Sequence, residues 1–197
     1  MLLLIDACPR AESRTRHLAQ YLIRRLDEPA VILNLSQTAL PPLDESRLLW
    51  RTDCCTAGDF SDPYFDLARQ FAAADTVVIA APYWDLSFPA LLKQYLESVC
   101  VTDLTFRYSP EGRPIGLCRA KRLWYVTTAG GPITADFGFG YVKALAQSLF
   151  GIADCRLVSA ENLDILGSDP EAILRESRLG IDAQLKYTIN HLPYRRK

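Results

Sequence analysis

The residues able to do chemistry in this chain fall into three short segments. The first, Asp6-Ala7-Cys8-Pro9-Arg10-Ala11-Glu12-Ser13-Arg14-Thr15-Arg16, carries a thiol, hydroxyls and guanidinium groups just ahead of an amphipathic helix. Unpaired N–H groups at such a helix start, aided by the helix dipole, favour an anion by roughly 0.3–1 kcal/mol. Ser13 and Thr15 add hydroxyl donors, and Arg10, Arg14 and Arg16 offer guanidinium forks that match a phosphate. The glycines of a Walker loop or a dinucleotide fingerprint are missing, so neither of those phosphate sites fits. Equally, Ser13 could cap the helix while the arginines form a solvated face.

Two further segments look weak singly. Tyr83-Trp84-Asp85-Leu86 sets two aromatics side by side, suited to a flat ligand or to covering the core. Thr127-Thr128-Ala129-Gly130-Gly131 removes side chains, so that a ligand can lie against backbone N–H groups, or simply makes a turn. A side chain added at Gly131 is expected to block that floor. Together the segments describe a phosphate end, an aromatic wall and an open glycine floor, the complement of a mononucleotide with a planar ring. Nothing resembles a magnesium-binding phosphate loop, so flavin mononucleotide (FMN) fits better than an adenine nucleotide.

That constellation exists only if the fold brings the segments to one edge. Thr76 to Ala81 is an apolar, β-branched run of the kind found in a central parallel strand covered on both faces. Pro82 stops it, Ser87 is placed to cap the next helix, and Pro89 falls in that helix's first turn. Phe88, Leu91, Leu92, Tyr95, Leu96 and Val99 supply the apolar face. Upstream, the pattern predicts a strand at Leu2–Ile5, a helix from Ser13 to about Leu26 and a strand at Ala30–Leu33. A connection follows with a short helix near Asp44–Arg51, and then a helix from Pro63 to Ala74.

Downstream, Leu104–Tyr108 alternates like a half-exposed strand and Ser109-Pro110-Glu111-Gly112 has the residues of a tight turn, giving a surface excursion at about 101–120. The fourth strand is Arg122–Thr128. A helix from Phe139 is closed by Gly151, with Ile152 packing back. The fifth strand is Arg156–Ala160, Ser168-Asp169-Pro170-Glu171 is a capping-box start, and Ile173, Leu174, Ile181, Leu185 and Ile189 carry the last helix. Five strands alternating with helices predict an α/β fold, a doubly wound parallel sheet with helices on both faces, as one domain over 1–197. Ligands of such sheets bind beyond the strands' carboxyl ends. The three segments follow strands one, four and the central one.

Composition narrows the field further. A net charge of −1 gives no global pull toward nucleic acid or an anionic membrane. Met1-Leu2-Leu3-Leu4-Ile5 lacks a basic flank and is cut off by Asp6, so it reads as a strand rather than a signal peptide, and no apolar run approaches a membrane span. Six cysteines are scattered without a C-x-x-C pair, which fits reduced thiols and a cytoplasmic location. With only His17 and His191, neither a zinc site nor a histidine-based triad is expected, and His17 reads as part of a solvated helix face. The tail Arg195-Arg196-Lys197 reads as a solvated end.

Ala81-Pro82-Tyr83-Trp84-Asp85-Leu86-Ser87-Phe88-Pro89-Ala90-Leu91-Leu92-Lys93, then Thr105-Phe106-Arg107-Tyr108, Gly112, Gly116-Leu117, Lys121, Val126–Gly131 and Leu149-Phe150-Gly151-Ile152, carry a family signature in one order over nearly the whole chain. On these residues the sequence resembles the flavodoxin-like FMN-dependent NADH azoreductase and NAD(P)H quinone reductase family. The resemblance implies a flavodoxin-like sheet in the order 2-1-3-4-5 and a homodimer with two FMN sites near the subunit interface. By position it carries the phosphate loop onto Cys8, Ser13, Arg14 and Thr15. The ring-contacting loop falls on Tyr83, Trp84, Asp85 and Leu86, and the second ring loop on Thr128, Ala129, Gly130 and Gly131. It further implies ping-pong hydride transfer from NADH or NADPH through FMN to a quinone or azo compound, with no side chain needed as acid or base and no metal. Two departures stand out: Cys8 where the family has serine, and Asp85 where it commonly has asparagine. A carboxylate at 4 Å from an anionic reduced flavin costs roughly 1 kcal/mol in water and about 4 at an effective dielectric of 20, which would lower the reduction potential.

Two rival readings remain. Cys8 to Thr15 also resembles the C-x5-R-T signature of low-molecular-weight tyrosine phosphatases, with Asp169 as an acid and the Cys8 thiolate as nucleophile. Against it, Pro9 removes one cradle N–H, Glu12 opposes a dianion, and the loop lacks glycine. The other rival is an FMN-binding electron carrier or regulatory module on the same fold.

Overall fold

Five apolar runs pair as parallel strands in the computed structural model, which describes residues 1–191. In chain order the main elements begin with β1 (Leu2–Asp6), α1 (Arg14–Leu26), β2 (Ala30–Asn34), α2 (Glu45–Ala57), α3 (Asp66–Ala73) and β3 (Thr76–Ala80). They continue with α4 (Ala90–Val99), β4 (Phe106–Tyr108), β5 (Pro114–Gly116), β6 (Arg122–Thr128), α5 (Phe139–Leu145), β7 (Asp154–Ala160) and α6 (Pro170–His191). The large sheet has the order β2-β1-β3-β6-β7, which is the expected 2-1-3-4-5 once the separate β4–β5 hairpin is set aside. The chain therefore has the flavodoxin-like α/β architecture.

Alternation along each central strand builds two cores. Leu3, Ile5, Val77, Ile79, Leu123 and Tyr125 face one side with Phe71 of α3, Leu92, Tyr95 and Leu96 of α4, and Val142 of α5. Leu2, Leu4, Val78, Ala80, Trp124 and Val126 face the other, against Leu18 and Leu22 of α1 and Leu174 and Ile181 of α6. Full burial of each such side chain is worth about 1.5–3 kcal/mol, so the sheet is held from both faces. The register steps evenly from Asp6 to Ala80 to Val126 to Val158, which brings the strands' carboxyl ends to one edge.

Several local features differ from the sequence expectation. α2 runs to Ala57, well past the Asp44–Arg51 segment, because Asp44 caps its start and left-handed Gly58 closes its end. The helix expected from Pro63 opens as a single 3₁₀ turn over Pro63–Phe65 before α3. At α6 the cap is Asp169, not Ser168; its Oδ1 accepts from the N–H groups of Glu171 and Ala172, with Pro170 as the first helical residue. Gly151 does take the left-handed conformation, at φ 75°, and the N–H of Ile152 donates to the carbonyl of Ala146 at 2.9 Å. Between α5 and Gly151, however, Ala146–Phe150 forms a wide π-type turn. The excursion folds as the β4–β5 hairpin and rests on that turn: a Cβ on Gly116 would lie 2.3 Å from the Gly151 nitrogen. Residues 195–197 lie outside the described residues.

Candidate functional site

Four loops meet at the sheet's carboxyl edge, one more than the sequence pointed to. The first is shaped from below by Asp6, a buried carboxylate at the end of β1. Its Oδ1 accepts the N–H of Cys8 at 2.9 Å and its Oδ2 accepts Nε of Arg16 at 2.5 Å. The rest of the Arg16 guanidinium donates to the carbonyls of Arg10, Ala11 and Cys8 at 2.7, 2.6 and 2.7 Å. Arg16 is therefore a staple within the loop, not the phosphate fork its position suggested. Ser13 caps α1, its Oγ accepting the N–H of Arg16 at 3.3 Å. The N–H groups of Arg14 and Thr15, in the first turn, take no partner among the described residues and remain available. Thr15 Oγ1 lies 2.6 Å from Thr128 Oγ1, a buried hydroxyl pair that joins this loop to the end of β6.

The second loop is tied to the sheet by the N–H of Tyr83, which donates to the Thr128 carbonyl at 3.0 Å. Tyr83 also donates its hydroxyl to the Ala135 carbonyl at 3.3 Å, which fixes the ring. Trp84 and Ser87 exchange backbone hydrogen bonds at 3.2 and 2.7 Å around Asp85 (φ 49°) and Leu86 (φ 67°). Two left-handed central residues make this a two-residue hairpin turn. Because Ser87 closes that turn, it does not cap α4; its hydroxyl donates instead to the Phe137 carbonyl at 3.1 Å. Trp84, on the cavity wall, and Leu86 and Phe137, which flank the Ser87 hydroxyl contact, are left 41, 48 and 63% exposed.

The third loop is stitched to a fourth, which follows β7. The N–H groups of Asn162, Leu163 and Asp164 donate to the carbonyls of Gly131, Ala129 and Gly130 at 3.1, 3.2 and 2.9 Å. With those carbonyls turned toward the fourth loop, the N–H groups of Gly130 and Gly131 take no partner among the described residues. The N–H of Ile133 donates to the Glu161 carboxylate at 2.8 Å.

Between these loops lies a cavity of about 420 Å³. Of the residues singled out from sequence, Ser13, Arg14, Thr15, Tyr83, Trp84, Thr128, Ala129 and Gly130 line it, together with Pro9, Arg10, Glu12, Pro82, Leu163 and Asp164. Cys8, Asp85, Leu86 and Gly131 do not. Cys8 is fully buried, its thiol directed at the Ala80 carbonyl at 3.7 Å, and burial pushes its pKa up to about 12. A thiol kept protonated and away from the cavity cannot serve as the phosphatase nucleophile. Asp85 is exposed beyond the cavity wall. Gly130 lines the cavity and Gly131 does not; a Cβ on Gly131 would meet nothing within 4 Å, whereas one on Gly130 would meet Oδ2 of the Asp164 side chain at 2.6 Å.

Sequence reasoning missed Asp6 and Asp164. A signal existed for each. Asp6 is an acid directly continuing an apolar strand, which burial forces to find a cation, and Arg16 lies in the first turn of the following helix. Asp164 follows the fifth strand on the same edge as the other three loops, where the rule for open sheets applies equally. Its Oδ1 lies 2.8 Å from Nη1 of Arg14, so an ion pair crosses the cavity from α1 to the fourth loop.

A family model described as flavodoxin-like fold matches residues 1–185. Among curated proteins, the chain is 34% identical to FMN-dependent NADH:quinone oxidoreductase 2 of Clostridium acetobutylicum, over 87% of this chain and 90% of that one. It is 33% identical to the FMN-dependent NADH:quinone oxidoreductase of Lachnoclostridium phytofermentans over 81% of each chain. Among solved structures, an azoreductase from Bacillus anthracis strain Sterne superposes with a TM-score of 0.79 at 22% identity, covering 93% of this chain and 97% of that one. At that identity the superposition speaks for the fold alone. No described helix is long and apolar enough to cross a membrane.

Proposed function

The chain belongs to the flavodoxin-like family, and from that premise we propose that it is an FMN-dependent NAD(P)H oxidoreductase that reduces quinones or azo compounds by a ping-pong route. The observation that carries this reading is the union, in one cavity, of unpaired N–H groups at the start of α1, an aromatic wall at Tyr83-Trp84 and an unpaired N–H group at Gly130. A phosphate needs the first, a flat ring the second, and the polar edge of an isoalloxazine the third. The residues present therefore fit FMN. When bound, FMN would supply the redox chemistry, hydride transfer between a nicotinamide and the acceptor.

This chain's own residues bind and orient. The N–H groups of Arg14 and Thr15 and the Ser13 cap would hold the phosphate, with the Arg14 guanidinium beside them. Thr128, tied to Thr15, keeps the phosphate loop and the ring loop at a constant separation. Tyr83, anchored through Ala135, and Trp84 form the wall. The N–H group of Gly130, unpaired on the cavity wall, would offer a fixed dipole to the polar edge of the ring. No side chain is assigned as acid or base. In a ping-pong route the nicotinamide leaves the cavity before the acceptor enters it.

The chain acts as one domain with the β4–β5 excursion attached, and as a homodimer in the cytoplasm. The exposed apolar side chains of Trp84, Leu86 and Phe137 support a covering partner subunit, and six free cysteines suit a reducing compartment. Purification followed by flavin release tests the reading: the protein should be yellow, the released flavin should be FMN, and NADH oxidation should depend on an added soluble quinone with parallel-line kinetics. Binding of FMN without direct NADH turnover would instead mark an electron carrier. A colourless chain that refuses FMN would refute the assignment.

A further inference from the structure

We infer that Asp164 competes with the cofactor's phosphate for Arg14 and so sets how strongly this site discriminates a phosphorylated flavin from an uncharged one. The inference rests on the proposed FMN site and deepens it. Asp164 is held in position by its own backbone, through the bond from its N–H to the Gly130 carbonyl at 2.9 Å and through the neighbouring bonds of Asn162 and Leu163. Its side chain then lies across the glycine floor, where a Cβ on Gly130 would meet Oδ2 at 2.6 Å. From there Oδ1 reaches Nη1 of Arg14 at 2.8 Å.

The cation count at this end of the cavity makes the contact consequential. Arg16 is consumed by Asp6 and three loop carbonyls, which leaves Arg10 and Arg14 as the guanidinium groups on the wall. Two carboxylates, Glu12 and Asp164, share that wall. A dianionic phosphate must therefore draw Arg14 away from a carboxylate that stays close by and repels it. Both partners of the pair are substantially exposed, so the exchange is accessible rather than blocked by desolvation. An uncharged flavin takes no part in this contest. Asp164 thus acts on the anionic end alone, as a brake on affinity that salt should weaken.

Flavin fluorescence quenching with FMN and with riboflavin tests this on the flavin-free wild-type chain and on Asp164→Asn, which keeps the backbone bonds and the side-chain shape. The expected result is an FMN Kd about tenfold lower in the variant at low salt, shrinking at high salt, with the riboflavin Kd unchanged. A higher FMN Kd in Asp164→Asn would show a latch instead of a competitor and overturn the inference. So would an equal change for both flavins, which would mean a change of shape. Inorganic phosphate supplies an arm that does not depend on flavin: in a thermal melt it should stabilise Asp164→Asn more than wild type. If wild type ignores FMN while the variant gains phosphate binding, the flavin assignment falls and the competition for Arg14 stands. If neither ligand gains, the competition for Arg14 is refuted.

Discussion

At the scale of single residues, the cavity depends on a group that never enters it. Arg16 spends its guanidinium on Asp6 and on the carbonyls of Cys8, Arg10 and Ala11, so those carbonyls turn inward beneath the loop. Asp6 is nearly wholly buried, so removing its partner strands a charge, a loss that typically costs 3–5 kcal/mol. Arg16→Gln should therefore lower stability by about 3 kcal/mol and release bound flavin, read as a fall in the urea midpoint and in flavin absorbance per chain. From sequence alone Arg16 looked like one of three equivalent arginines. Only the fold separates the staple (Arg16), the paired side chain (Arg14) and the wall cation (Arg10), because equivalence along a helix start ends once a buried carboxylate lies under one of them.

Two elements carry strain or contact that their composition conceals. The Trp84–Ser87 turn holds Leu86 at φ 67°, a region that costs a non-glycine residue about 1–2 kcal/mol. Strain of this kind, kept beside a binding cavity and with an exposed side chain, marks a segment shaped for contact rather than for stability. Leu86→Gly should raise stability by about 0.5 kcal/mol, the relief being partly offset by glycine's unfolded-state entropy, while flavin binding weakens; a melting curve and a flavin titration read the two effects. The β4–β5 hairpin makes the opposite case. Its Gly116 packs directly on the backbone of Phe150 and Gly151, at 2.3 Å from where a Cβ would sit. Gly116→Ala should cost about 3 kcal/mol in chemical denaturation, because backbone, unlike a side chain, cannot step aside. The Thr105–Tyr108 and Phe150-Gly151-Ile152 signatures, far apart in the chain, are thus two sides of one contact.

Across the whole molecule, the buried thiols link stability to pH. Burial pushes the Cys8 and Cys118 thiols from 9.0 up to about 12. An unfolded chain releases these protons near 9 while the native one keeps them, so between pH 9 and 12 the native state binds more protons and stability falls as pH rises. Below pH 9 their contribution is fully present. Each thiol contributes a slope of up to about 1.4 kcal/mol per pH unit. The urea midpoint should drop from pH 9 to 10.5, and the double variant Cys8→Ala, Cys118→Ala should show a shallower drop.

Strand runs, helix faces, the Gly151 cap and the carboxyl-edge location of Tyr83-Trp84 and Thr128–Gly130 were legible in the chain itself, since periodicity and chain-breaking residues act over a few neighbours. The same local rules misassigned Ser87 and Ser168 as caps: the Ser87 hydroxyl donates to the Phe137 carbonyl, and the neighbouring Asp169 accepts the first N–H groups of α6. Sequence by itself determined the order of the elements and the chemical character of three loops. Tertiary structure alone decided which residues reach the cavity: it buried Cys8, put Gly130 and not Gly131 on the wall, spent Arg16 on Asp6 and set Asp164 against Arg14. The physical reason is that the pairing of a charge and the exposure of a side chain depend on what another loop, up to 150 residues away in sequence, brings within about 3 Å.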